Sequence, residues 1–182
     1  MNQVCISNLM VTLTKTNVIE EDLIRHMVLN SLRLYRKKFY KEYGELVLCY
    51  DSKQYWRRRE FPYYKGTRKK DRQQSKFDWN AIFEFLNRIR DELRQHLPYK
   101  VVEVDGAEAD DVIATLVKDQ GHRNIRLQNN MQPPQKVLIL SGDKDFIQLQ
   151  KYRFVAQYNP IQKKFMNGVD PKTYVAEHIM KG

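Results

Sequence analysis

Leu23, Ile24, Met27, Val28, Leu32 and Tyr35 recur at helical spacing, which predicts an amphipathic helix. Asn17 with Glu20 reads as its capping box and Gly44 as its stop. Residues 3–14 (QVCISNLMVTLT) fit a helix or a strand equally well. The short apolar run ELVLCYD (Glu45–Asp51) predicts a buried strand with Asp51 just past its C-terminal end. A second helix is predicted from about Asp78 to His96, with Phe83, Leu86, Ile89, Leu93 and Leu97 on one face and Pro98 beyond it. VVEV (Val101–Val104) and KVLILS (Lys136–Ser141) are further strands, and Ala107–Lys118 is a helix opening on EADD.

Residues 119–135 are polar with a Pro pair and predict a surface loop. GDKD (Gly142–Asp145) starts a helix, RFVAQY and QKKFM form a hairpin, and Asp170-Pro171 caps a last helix. Strands alternating with helices predict a single three-layer α/β domain with a mostly parallel sheet. Its strands should lie near 46–50, 101–104 and 136–141.

Composition narrows the class. With 182 residues and 42% hydrophobic content, the chain can bury a real core. Its net charge of +10 points to a polyanionic partner such as nucleic acid. From Lys53 to Lys76 ten Lys/Arg stand against two acids, a local +8. Cys5 and Cys49 lie in apolar segments and read as reduced thiols of a cytosolic protein. No Cys/His cluster favours zinc, no run is long enough to span a membrane, and no signal peptide is evident. His26, His96, His122 and His178 are scattered and read as surface or packing residues.

Against this basic background, carboxylates concentrate at Asp51, at Glu108, Asp110 and Asp111, and at Asp143 and Asp145. All six fall at the C-terminal ends of predicted strands or in the first turns that follow, the edge where open α/β sheets bind ligands. Either cluster alone is equally well explained as a helix cap. Together they predict one cleft holding two Mg²⁺ or Mn²⁺ ions, because hard cations take oxygen ligands and relieve the repulsion. Without metal, that repulsion should raise the pKa values of Glu108, Asp111 and Asp143.

The basic tract interleaves its charges with rings, as in Tyr55-Trp56-Arg57-Arg58-Arg59 and Tyr63-Tyr64-Lys65-Gly66-Thr67-Arg68-Lys69-Lys70. Cations for phosphates beside rings for bases suit single-stranded nucleic acid. Arg57, Arg58, Arg59, Tyr64, Lys65, Arg68, Lys69 and Lys70 are the expected contacts. Lys65 and Arg68 are the best placed to hold a scissile phosphate. The segment 53–76 is expected to be exposed, and the alternative is a solvated charged loop.

Asp51, FPYYKGTR (Phe61–Arg68), EADD and GDKD occur in the order and rough spacing of the 5′ nucleases. That group includes flap endonucleases and the 5′ nuclease domain of bacterial DNA polymerase I. The IRHMVLNS, VLCYD, YWRR and LPYKVVEVD stretches resemble a phage ribonuclease H branch of it. The resemblance implies a PIN-like catalytic domain whose residues 53–95 form a helical arch. It implies that Asp51, Glu108, Asp110, Asp111, Asp143 and Asp145 hold two divalent ions, Mg²⁺ or Mn²⁺. It places Tyr64, Lys65 and Arg68 at the base of the arch. The implied substrates are DNA with a 5′ flap or 5′ end and RNA–DNA hybrid, cut during phage primer removal. A monomer in the host cytoplasm, working with a single-strand-binding protein and a clamp, is the implied setting.

The resemblance also implies a chain trimmed at both ends, short of one aspartate upstream and of a helix–hairpin–helix with two more downstream. On that footing the expected behaviour is weak, salt-sensitive DNA binding with poor or absent catalysis. The alternative reading is accordingly a catalytically impaired nucleic-acid-binding fragment. A phosphotransferase with an aspartyl nucleophile is a third reading. It would need one dominant carboxylate and leaves the basic tract unused.

Overall fold

In the computed structural model, residues 21–66 and 77–181 are described. The readings for residues 3–14, for Asn17 and Glu20, and for Arg68, Lys69 and Lys70 lie outside them. The elements in chain order are α1 (Glu21–Tyr43), β1 (Val47–Tyr50), α2 (Trp56–Glu60), α3 (Trp79–His96) and β2 (Lys100–Glu103). Then come α4 (Ala109–Asn129), β3 (Val137–Leu140), a 3₁₀ helix (Lys144–Lys151), β4 (Val155–Asn159), β5 (Lys164–Phe165) and α5 (Pro171–Lys181). The predicted strands stand within a residue or so of their expected places, and the protein is α/β.

Two compact units divide these elements. The first takes in the described residues of Met1–Leu34 and Leu46–Val112, the second those of Tyr35–Glu45 and Ile113–Gly182. In the first, β1 and β2 pair in parallel, from Val47 opposite Lys100 to Tyr50 opposite Glu103. Its core sets Ile24, Val28 and Leu32 of α1 with Leu86, Ile89 and Leu93 of α3, as the periodicity marks. Ile82 and Phe85, which it does not mark, are buried there too, while Phe83 and Leu97 are only partly buried. Asp78 caps α3 by accepting from the backbone N–H groups of Asn80 and Ala81.

In the second unit, β3 pairs with β4 in parallel and β4 with β5 antiparallel. Val117, Ile139, Phe146, Leu149 and Val155 make its core. The hairpin and the Asp170 cap are present, with Asp170 Oδ2 accepting from Thr173 N at 2.8 Å and Thr173 Oγ1 at 2.9 Å.

Two expectations change. The described strands form a two-stranded and a three-stranded sheet, where the alternation predicts one. Residues 119–129 are not loop but the continuation of α4, with only 130–135 outside regular structure. Their polarity misleads because this part of the helix is mostly exposed. An i,i+4 pair, Arg123–Asp119 at 2.8 Å, supports it. Buried Asn124 anchors it, donating to Gln135 O at 3.0 Å and accepting from Gln135 N at 2.8 Å. Among the described residues no helix is long and apolar enough to cross a membrane.

Candidate functional site

The parallel pairing of β1 and β2 carries their chains side by side beyond the strand ends. Ser52 N donates to Ala107 O at 3.0 Å and Trp56 N to Gly106 O at 2.9 Å. Gly106 has φ 77°, a left-handed conformation that glycine adopts without steric penalty. Asp51 Oδ1 accepts from Ala109 N at 2.7 Å, which ties the end of β1 to the head of α4. The head of α4 therefore meets the start of the basic tract.

At that junction Glu108 and Asp111 are wrapped in cations. Arg57 Nη1 donates to Glu108 Oε2 at 2.8 Å and to Asp111 Oδ2 at 2.7 Å, and Nη2 donates to Asp111 Oδ1 at 2.8 Å. Lys65 Nζ donates to Glu108 Oε1 at 2.6 Å, and Tyr64 Oη to Glu108 Oε2 at 3.3 Å. Trp56 Nε1 adds a bond to Asp111 Oδ2 at 3.2 Å. Glu108 is only 4 % exposed. A buried carboxylate without a partner is strongly destabilising, by about 3–5 kcal/mol when one partner of a buried pair is removed. The cluster is therefore a neutralised unit.

These contacts correct the expected pKa of Asp111. Hydrogen bonding from Arg57 holds its carboxyl below the usual carboxylate range despite some burial. The neighbouring cation outweighs the neighbouring acid because it is in direct contact. Arg57 is raised in turn, chiefly by its bonds to Asp111. Burial works against the Lys65 charge, but the Glu108 bond and charge outweigh it, and the ammonium is raised too.

Over its described residues, up to Gly66, the basic tract is not a plain solvated loop. Arg57 stacks over the Trp56 ring at 4.6 Å and Lys65 over Tyr64 at 5.0 Å, so part of the cation–aromatic pattern is satisfied internally. Arg58 and Arg59 stay exposed on α2, as expected of phosphate contacts. Tyr63, 80 % exposed, packs edge-on against Phe61 with centroids 5.8 Å apart. Those two rings offer the open faces on which bases could stack. Asp110 is exposed on the first turn of α4.

Asp143 and Asp145 belong to the second unit, and both are exposed. Asp143 also acts as a cap, its Oδ1 accepting from Asp145 N at 3.0 Å. Its turn is pinned from below by Gln157, which is fully buried. Gln157 Nε2 donates to Ser141 O at 3.0 Å and Asp143 O at 2.6 Å, while its Oε1 accepts from Gln150 Nε2 at 3.0 Å. Ser141 Oγ accepts from Asp143 N at 3.1 Å. The Tyr174 phenol is raised by burial and then by the charges of Asp145 and Asp143. Sequence reasoning missed Gln157, whose one signal is an amide at an inward position of an apolar strand. It also missed the grip of Arg57 on the acids.

The donors suit a hard divalent cation, being all carboxylate oxygens. A single guanidinium nitrogen, Arg57 Nη1, already bridges two of the carboxylates as a cation would. Among the described residues, however, no three His, Cys, Asp or Glu side chains stand together as a preformed cage.

A parallel strand pair feeding an acid-headed helix, flanked by basic and aromatic residues, is what the ordered motifs anticipated. Residues 11–179 match the family described as 5'-3' exonuclease, N-terminal resolvase-like domain, and the chain belongs to that family. It is also 38% identical, over 171 residues, to the protein named Ribonuclease H of Enterobacteria phage T4. That alignment takes in 91% of this chain and 52% of the relative, so the chain spans about half the relative's length.

Proposed function

We propose that the chain is the catalytic region of a metal-dependent 5′ nuclease, hydrolysing phosphodiesters at 5′ ends or flaps of DNA and in RNA–DNA hybrids. The observation that carries this reading is the meeting of Arg57, Tyr64 and Lys65 with Glu108 and Asp111 at the head of α4. On this reading it sets groups suited to phosphate beside carboxylates suited to a divalent ion. In the first unit Asp51, Glu108, Asp110 and Asp111 are the residues to hold Mg²⁺ or Mn²⁺, and in the second Asp143 and Asp145. The bound ions supply an activated water and charge stabilisation at the leaving oxygen.

The chain's own residues do the rest. Lys65 offers an ammonium to the phosphate that gains charge in the transition state. Phe61 and Tyr63 offer stacking faces to an unpaired strand, and Arg58 and Arg59 neutralise its backbone. Arg68, Lys69 and Lys70 extend the basic run and serve the same strand. Primer removal in phage replication is the setting that the likeness to the T4 protein favours.

The test is release of 5′ label from a flap and from an RNA–DNA hybrid. Cleavage is expected in Mg²⁺ or Mn²⁺, to be lost with EDTA and with Glu108→Gln. Binding of both substrates with no cleavage in either metal would overturn the reading in favour of a binding fragment.

A further inference from the structure

The carboxylates at the head of α4 face a conflict of partners. Arg57 occupies both oxygens of Asp111 and one of Glu108, and Lys65 occupies the other. A divalent ion bound by these acids needs those same oxygens. A divalent ion added to Arg57 and Lys65 would set four positive charges against the two negative charges of Glu108 and Asp111, so the occupants compete, because like charges at contact distance repel. Nor can the site simply stay open. The Glu108 side chain is 5 % exposed, and an uncompensated charge there is costly. Positive charge is required at all times, and only its source can change.

Arg57 is built to be the exchangeable source. It rides on α2, a five-residue helix with no buried residue and no side-chain cap. Beyond Trp56 N to Gly106 O and the Tyr55 ring against Tyr64, the side-chain ties of this short helix run to Asp111 and Glu108, the acids themselves. Its neighbours Arg58 and Arg59 already face solvent. A guanidinium released from Asp111 has an obvious alternative partner, since phosphate accepts the same two-pronged bond as carboxylate.

We propose that Arg57 is a placeholder cation: it neutralises Glu108 and Asp111 in the metal-free protein, is displaced by the divalent ion, and then binds nucleic-acid phosphate. This rests on the nuclease reading and adds a rule to it. Metal and nucleic acid do not bind independently. Phosphate draws Arg57 off the acids and so favours metal, and metal draws the acids off Arg57 and so favours phosphate. Linkage makes the two effects equal in size.

The test is a Mn²⁺ titration of the full chain, followed by the EPR signal of free Mn²⁺. It is run on the wild type, Arg57→Gln and Arg57→Lys, each with and without a phosphorothioate single strand whose own Mn²⁺ uptake is subtracted. Without the strand, Arg57→Gln should bind Mn²⁺ about tenfold more tightly than the wild type, a typical coupling. Arg57→Lys should fall between, since lysine keeps the charge but loses the fork. The strand should tighten Mn²⁺ binding to the wild type and leave Arg57→Gln nearly unchanged.

Equal or weaker Mn²⁺ binding by a folded Arg57→Gln would overturn the proposal and leave the nuclease reading standing. Should that variant fail to fold by circular dichroism, the wild-type arm decides alone. A strand that leaves wild-type Mn²⁺ affinity unchanged overturns the proposal. Absence of Mn²⁺ binding in every form would overturn both the proposal and the metal-dependent reading beneath it.

Discussion

Single side chains in this protein hold backbone where the fold needs it. Gln157 is the clearest case, because one buried amide serves two carbonyls around the GDKD turn. Gln157→Leu keeps the volume and removes the donor. Carbonyls left buried and unpaired cost about 1–3 kcal/mol, so urea unfolding should show a loss of that order. A loss within error of zero would mean the turn holds itself. Gly142 adds to the constraint, since a Cβ there would come within 2.8 Å of Asn159 Nδ2. Asn159 is not free to retreat, because its Oδ1 accepts from Ile161 N and Gln162 N, each at 3.0 Å.

Lys65 is a different case. It lies at φ 55°, a left-handed backbone conformation that costs a side-chain-bearing residue roughly 1 kcal/mol or more. Lys65→Gly should therefore be less destabilising than Lys65→Ala in thermal melts. Both should slow single-turnover cleavage by about 100-fold while weakening binding far less. Equal losses in rate and affinity would make Lys65 a simple phosphate tether.

The elements show what the pattern of residues carries and what it omits. Strands β1, β3 and β4 were legible because their short apolar runs seek burial, whereas β5, short and exposed, was legible only as the far arm of a hairpin. The helices α1 and α3 were legible because their stripe repeats. The far half of α4 was not, since a polar, exposed helix leaves no stripe. The acids of the site were legible as ordered motifs. Their engagement by Arg57 was not, because a contact across more than fifty residues of chain leaves no trace in local spacing.

The same holds for Arg25 and Glu92, which join α1 to α3 through bonds of 2.8 Å and 3.0 Å. The hydrogen bond from Arg25 depresses the folded pKa of Glu92. Its contribution is thus present above the unfolded value of about 4.3 and is lost as pH falls through the lower folded value. Wild type and Glu92→Gln should differ by about 0.2–1 kcal/mol near neutrality and converge in acid, below the lowered folded value. A difference that persists in acid would assign the effect to packing.

For the whole molecule, charge is the property that decides encounter with a substrate. Most of the net +10 comes from the 53–76 tract. Binding to single-stranded DNA should therefore fall steeply with salt, with a log–log slope of about 0.7 for each phosphate neutralised. Replacing both Arg58 and Arg59 with Ala should flatten that slope by roughly 1–2. An unchanged slope in fluorescence anisotropy would place the DNA elsewhere on the protein.

The second unit is assembled from two pieces of sequence, 35–45 and the stretch from Ile113 onward. Tyr35 and Lys38 bond to Pro160 and Tyr158, and Phe39 packs against Tyr158 and Phe165. Those partners are encoded 120 and 125 residues downstream for Lys38 and Tyr35. At about 5–20 residues per second, ribosomal synthesis leaves the early piece waiting on the order of 6–24 s for its mates. During that interval Tyr35, Phe39 and Tyr43 are a sticky ring-bearing strip on a nascent chain. The strip should recruit trigger-type chaperones on stalled ribosomes and release them once Phe165 has emerged.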